Sequence, residues 1–148
     1  MKRLLGIGVL CLSTFFVYPA MAFERMPFSY SFLGFYKKVS LYAEKIGRLC
    51  KKYGVDPDLA IAIAMFESGG NKGLRSIAGA QGIMQVMPST KKEMEVDDDD
   101  EAGIKYIAYL KTVFGDVPSH IIMAYNGGPG AVRHNRLRLE TVQYLGGV

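Results

Sequence analysis

From Leu59 to Phe66 the chain reads Leu-Ala-Ile-Ala-Ile-Ala-Met-Phe, apolar at every position. A helix built from that run has no polar face to turn to water, so it must lie in the middle of the domain with other elements wrapped round it. Its start is marked by Asp56, a good N-cap, by Pro57 at a first helical position, and by Asp58 at the positive end of the helix dipole. Gly69-Gly70 supplies the stop. The pattern predicts a helix from Pro57 to about Ser68, with one charged group, Glu67, at its end. A carboxyl carried by such a helix is partly desolvated. Desolvation disfavours the charged form and raises the pKa, as a general acid working near neutral pH requires. The same residues also fit a plainer reading, in which Glu67 marks an exposed last turn before a glycine stop.

The other elements are helical too. Ser40 can cap a helix running to about Tyr53, with Gly54 as its stop. Residues 69–81 are rich in glycine and small side chains and read as a loop, and Pro88-Ser89-Thr90 opens a short helix or turn. Asp97 to Glu101 lacks the alternating spacing of a calcium loop and reads as the acidic N-terminus of the next helix, whose core stripe is Ile104, Ile107, Leu110 and Phe114. Gly115-Asp116 ends it. Ser119 can cap a helix to about Tyr125, Pro129 can begin another after the turn at Asn126-Gly127-Gly128, and a last helix covers about Leu139 to Leu145. No period-2 strand of convincing length is present, so the predicted fold is mostly or wholly α.

The N-terminus stands apart from this pattern. Lys2 and Arg3 precede an almost wholly apolar Leu4 to Val17, and Ala20-Met21-Ala22 fits the small-x-small cleavage rule, so residues 1–22 read as a secretory signal peptide. Export would place the protein in the periplasm. Cleavage removes two of the positive charges from a formal net charge of +4 and leaves a mildly basic chain. Without a basic run interleaved with aromatics, nucleic acid is not an expected partner. Residues 23–39 carry Phe23, Phe28, Tyr30, Phe32, Phe35 and Tyr36, interrupted by Pro27 and Gly34. They read as an irregular lead-in that packs on the domain, with docking to a partner as the alternative. Residues 40–148 then form the one globular domain, expected as a monomer. Cys11 falls in the signal peptide and leaves Cys50, which reads as a small buried apolar residue. No His, Cys or acid cluster has metal-ligand spacing and no Gly-rich phosphate loop is present, so neither metal nor cofactor is expected.

Polar groups interrupt apolar or small-residue stretches at Glu67-Ser68, Ser76, Gln85 and Tyr125-Asn126. A groove over a buried helix end would bring them together, and Gln, Asn and Tyr suit sugar hydroxyls and N-acetyl amides. Glu67-Ser68, then Gly79-Ala80-Gln81-Gly82-Ile83-Met84-Gln85-Val86-Met87-Pro88, then Ala124-Tyr125-Asn126-Gly127-Gly128-Pro129-Gly130, resemble the successive motifs of the lysozyme-like soluble lytic transglycosylase domain. Glu140-Thr141 with Tyr144 resembles that family's closing motif, so the resemblance spans about residues 42–146. Two positions depart from it: Asn71 is followed by Lys72 where proline is common, and Asp99-Asp100 stands where Asn-Ile is expected. Both lie away from the acid.

The resemblance implies a lysozyme-like fold of the goose-type lysozyme and lytic transglycosylase class, with a substrate groove over a buried helix. It implies cleavage of the β-1,4 bond between N-acetylmuramic acid and N-acetylglucosamine in peptidoglycan glycan strands. Carried over by position, Glu67 is the sole catalytic acid/base, and Ser76, Gln85 and Met87 line the groove. Tyr125 contacts the reacting centre, Asn126 fixes its motif, and Ser68 and Tyr144 complete the substrate-binding set; Met84 reads as core. With one carboxylate, Glu67 would protonate the glycosidic oxygen and then take the proton of the muramic C6 hydroxyl, which closes on C1 to give a 1,6-anhydro sugar. A hydrolytic lysozyme, which would need a second carboxylate or a positioned water, and a non-catalytic wall-binding module are the alternatives. The small size further suggests an enzyme that opens the wall for a secretion, pilus or conjugation apparatus.

Overall fold

The computed structural model describes residues 42–148. The expectations for the signal peptide, the aromatic lead-in and the Ser40 cap lie outside those residues. Helix α1 occupies residues 42–53 of the described chain and ends at Gly54, whose φ of 66° is the left-handed conformation that glycine adopts without strain. Then follow α2 (Pro57–Ser68), α3 (Pro88–Met94), α4 (Asp99–Phe114), α5 (Pro118–Gly127), α6 (Pro129–Arg133) and α7 (Leu139–Gly147). Among the described residues the only strand-like pairing is two isolated bridges, Arg75 with Gln81 and Gln81 with Val86, which fold the 69–87 connection back on itself. Helix α5 packs against α4, α6 and α7, and α3 packs against α4.

Helix α2 begins and ends where the capping residues say. Asp56 Oδ1 accepts from the Asp58 amide at 2.9 Å, and Gly69 closes the helix at φ 59° with its amide on the Met65 carbonyl. Ala60, Ile63 and Ala64 are buried, and they join Ile46 and Cys50 of α1, Ile83 and Met84 of the connection, Ile104, Ile107 and Leu110 of α4, and Ile121 and Ala124 of α5 in one core. The helix is central, yet it is not enclosed all round as the sequence pattern predicts. Phe66 keeps 48% of its surface exposed, because the last turn emerges at the rim of a cleft, where the ring packs edge-on against Tyr144 at 4.6 Å.

The acidic run caps α4, as expected, and also ties three helices together. Asp98 accepts from the Glu101 amide as N-cap. Lys45 of α1 bonds Asp98 and Asp100, Lys52 and Tyr53 of α1 bond Glu101, and Lys91 of α3 bonds Asp99. Asp99 and Asp100, the two residues that depart from the family pattern, thus serve as anchors for lysines on neighbouring helices. Three helix ends differ from expectation, among them the end of α5, which runs through Asn126 to Gly127 rather than stopping at about Tyr125. Helix α5 starts at Pro118 with Val117 as N-cap and no side-chain cap, so the fixed φ of Pro118 does the work expected of Ser119. Helix α7 runs to Gly147, past Leu145, closed by the Val148 amide on the Tyr144 carbonyl.

Gly103 of α4 faces Met84 so closely that a Cβ there would lie 2.6 Å from Met84 Sδ and 2.8 Å from its Cβ. Gly103→Ala gains about 1 kcal/mol of helix propensity, but the overpacking costs about 1–3 kcal/mol. A net loss of up to about 2 kcal/mol is expected in chemical denaturation.

Candidate active site

The end of α2, the 81–87 turn, α3, α4 and the end of α5 meet at a narrow cleft. It is lined by Glu67, Gln85, Val86, Met87, Thr90, Tyr106, Tyr125, Asn126 and Gly128. Each lining residue is placed by a distinct local device. Glu67 sits there because Gly69 stops α2 one turn after the last buried position, Ala64. Gln85 occupies the left-handed region at φ 46°, unusual for a non-glycine residue, and its Nε2 donates to the carbonyls of Leu74 (3.1 Å) and Gly82 (2.8 Å). Those two bonds hold the turn that presents Met87, which in turn is the N-cap residue of α3. Tyr125 Oη donates to the Met84 carbonyl at 2.9 Å, and Asn126 Oδ1 accepts from Thr141 Oγ1 at 3.1 Å, pinning the end of α5 to the turn and to α7.

Glu67 is the only carboxylate among the described residues that line the cleft. Tyr144 Oη, from α7, donates to its Oε1 at 2.8 Å. Part of the Glu67 surface opens to the cleft, but protein packs closely round the carboxyl, and burial pushes it up to about 7 from an ordinary value of 4.5. The Tyr144 hydrogen bond pulls the other way and is outweighed. A carboxyl with that value exchanges its proton readily near neutral pH, so one group can serve first as acid and then as base.

The remaining residues singled out in the sequence sit around this centre in different ways. Ser68 Oγ donates to the Ile83 carbonyl at 2.7 Å and accepts from the Gly70 amide at 3.1 Å, so it fastens the end of α2 to the connection. Ser76 Oγ accepts from the Ala80 amide at 2.9 Å and shapes the loop; neither serine is among the cleft-lining residues. Tyr144 is buried beneath Glu67 and contacts the acid directly. Met84 is fully buried in the core.

A model of the transglycosylase SLT domain matches residues 44–142. The chain belongs to that family. Among transglycosylase relatives, the soluble lytic murein transglycosylase of Salmonella typhimurium is 30% identical over 108 residues, covering 62% of this chain and 17% of that protein. The membrane-bound lytic murein transglycosylase C of Edwardsiella ictaluri is 30% identical over 120 residues, covering 65% and 33%. An inactive mutant of the lytic transglycosylase Slt of Pseudomonas aeruginosa superposes with a TM-score of 0.60 at 25% identity, over 69% of this chain and 22% of that one. This SLT domain therefore spans a third or less of the length of those proteins, and its fold is the lysozyme-like one expected.

The SLT cleft also holds residues that the motifs do not point to. Tyr106 and Thr90 line it, and Thr141 carries the bond to Asn126. Tyr106 lies with its ring 5.5 Å from Tyr125 and 6.1 Å from Tyr109, and burial pushes its phenol well above the ordinary tyrosine value. In sequence it stands between Ile104 and Ile107 and looks like one more core residue of α4; only the crossing of α4 over α5 turns it to the cleft.

Proposed function

We propose that the protein is a peptidoglycan lytic transglycosylase that cleaves the bond between N-acetylmuramic acid and N-acetylglucosamine and leaves a 1,6-anhydro end. The observation that carries this reading is Glu67, the one carboxylate in a cleft whose other described lining residues offer amide, hydroxyl and apolar groups. Neutral Glu67 protonates the glycosidic oxygen as the C1–O bond breaks. The oxocarbenium-like C1 is stabilised by the substrate's own N-acetyl oxygen. Ionised Glu67 then accepts the proton of the C6 hydroxyl, whose oxygen closes on C1, and the carboxyl returns to its starting state. Tyr144 steadies the carboxylate between the two steps, since its hydrogen bond favours the charged form. Gln85, Met87, Tyr125 and Asn126 line the cleft and would hold the sugars.

Hydrolysis through a second carboxylate has no candidate among the described residues of the cleft. Four of the five acids from Asp97 to Glu101 are hydrogen-bonded or paired with Lys45, Lys52 and Lys91, and Asp97 faces a different hollow. Digestion of purified peptidoglycan, read by mass spectrometry, separates the alternatives. Fragments with 1,6-anhydro ends are expected. Reducing ends would make the protein a hydrolase, and intact strands that still bind it would make it a wall-binding module.

We further propose export by residues 1–22 to the periplasm, action as a monomer, and service to a secretion, pilus or conjugation apparatus, with residues 23–39 as the contact. The support is the cleavable leader pattern and the aromatic density of residues 23–39.

A further inference from the structure

Charge is segregated along the chain. Acids crowd the start of α4, but from Val117 to Leu139 there is no Asp or Glu at all. Within that stretch the turn from α6 to α7 carries Arg133, Arg136 and Arg138, all exposed. Local chemistry shapes the turn. Asn135 takes the left-handed conformation at φ 50°, and the Arg136 amide donates to the Ala131 carbonyl at 2.8 Å, which ends α6 and redirects the chain into α7. Among the described residues the side chains of Arg133 and Arg136 form no ion pair or hydrogen bond. Arg138 meets Glu140, the next acid in the chain, only at 3.4 Å and in water.

The strip runs directly into an apolar helix face. Leu139 is 74% exposed and Val142 49%. With about 3.6 residues per turn, these two share the outer side of α7 with Gln143 and Gly146, nearly opposite Tyr144, which is buried against Glu67. Three arginines beside two bare aliphatic side chains narrow the partner. Nucleic acid is recognised with aromatics that stack bases, and none stands between the arginines. Carboxylates of a wall polymer would match the arginines and leave Leu139 and Val142 in water. An anionic bilayer matches both: its phosphates suit the guanidinium forks, and its acyl boundary takes the aliphatic side chains.

We propose that the α6–α7 turn and the outer face of α7 dock the domain on an anionic phospholipid surface. No helix among the described residues is long and apolar enough to cross a membrane, so this contact is peripheral and reversible. Tyr144 reaches Glu67 from the other side of the same helix, so docking leaves the acid on the side turned from the lipid. This docking would operate whether or not Glu67 cuts glycan.

The chain contains no tryptophan, so Leu139→Trp places a single reporter on this face. The full-length variant is mixed with vesicles of phosphatidylcholine alone, and with vesicles of equal parts phosphatidylcholine and phosphatidylglycerol. Its emission is expected to shift to the blue on the anionic vesicles, as the indole leaves water, and to stay unmoved on the neutral ones. About 1 M salt, which shortens the reach of charge to about 3 Å, should reverse the shift. Adding Arg133→Gln, Arg136→Gln and Arg138→Gln to the reporter chain should weaken its affinity for anionic vesicles about ten- to a hundredfold. The reporter reads its own surroundings, so binding through the apolar residues 4–17 alone would leave it unmoved. Unmoved emission on anionic vesicles, or an equal shift on both kinds, would overturn the proposal. Arginine-dependent sedimentation with purified peptidoglycan, by a protein whose reporter ignores vesicles, would assign the strip to the wall and overturn it too.

Discussion

Glu67→Gln is expected to lower the rate of peptidoglycan lysis by at least about a thousandfold while glycan binding stays within a few-fold of wild type. General acid–base catalysis contributes about 10²–10⁴-fold, and here one group performs both proton transfers, so its loss falls toward the upper end. Glutamine keeps the shape and can still accept the Tyr144 hydrogen bond, so the cleft and its sugar contacts persist. The same variant should be more stable than wild type at alkaline pH. The folded value of about 7 lies above the ordinary 4.5, so the folded protein holds the proton more tightly than the unfolded chain. The wild type therefore loses stability as pH rises from about 4.5 to about 7, because it must then carry a buried charge. Glutamine carries none. Its advantage should be about 1–3 kcal/mol above pH 7 and vanish below pH 4.5, read from denaturation curves across that range. Lost lysis with this stability gain separates removal of the acid from damage to the fold.

Tyr144→Phe should lower kcat/KM by about ten- to a hundredfold and move the alkaline limb of its pH profile upward. The hydroxyl holds Glu67 in place and favours its ionised form. Without it the carboxyl keeps its proton to higher pH and also loses the orientation on which both proton transfers depend. Phenylalanine keeps the ring that meets Phe66 edge-on at 4.6 Å, so packing changes little. Gly147 reinforces that contact from the same helix, since a Cβ there would come within 2.1 Å of the Phe66 ring. A lower rate with an unmoved alkaline limb would assign Tyr144 to packing alone.

How much of this was legible in the sequence depends on how local each cause is. Helix α2 was readable to the residue because Asp56, Pro57 and Gly69 act on their own neighbours. The α4 stripe of Ile104, Ile107 and Leu110 was readable because helical periodicity alone places those residues on one face, and all three are fully buried. Glu67 stood out because a charge after eight apolar residues is conspicuous. Ser68 and Ser76 are a different case: a motif names the residue but not the direction of its hydroxyl, and both turn to backbone groups. Tyr106 and Thr90 were not legible, because a cleft formed by crossing helices is a long-range fact with no local signature. The value of Glu67 depends likewise on the packing of α7, a segment distant in sequence, against the end of α2.

Acid–base chemistry by a single carboxyl requires that the fold itself poise Glu67 near neutrality. Carboxyl carbon NMR of the protein labelled at glutamate tests it directly, with Glu67→Gln identifying the resonance. This one signal is expected to titrate with a midpoint of about 7. A midpoint near the ordinary 4.5 would contradict it and leave a carboxylate unable to act as the acid at neutral pH.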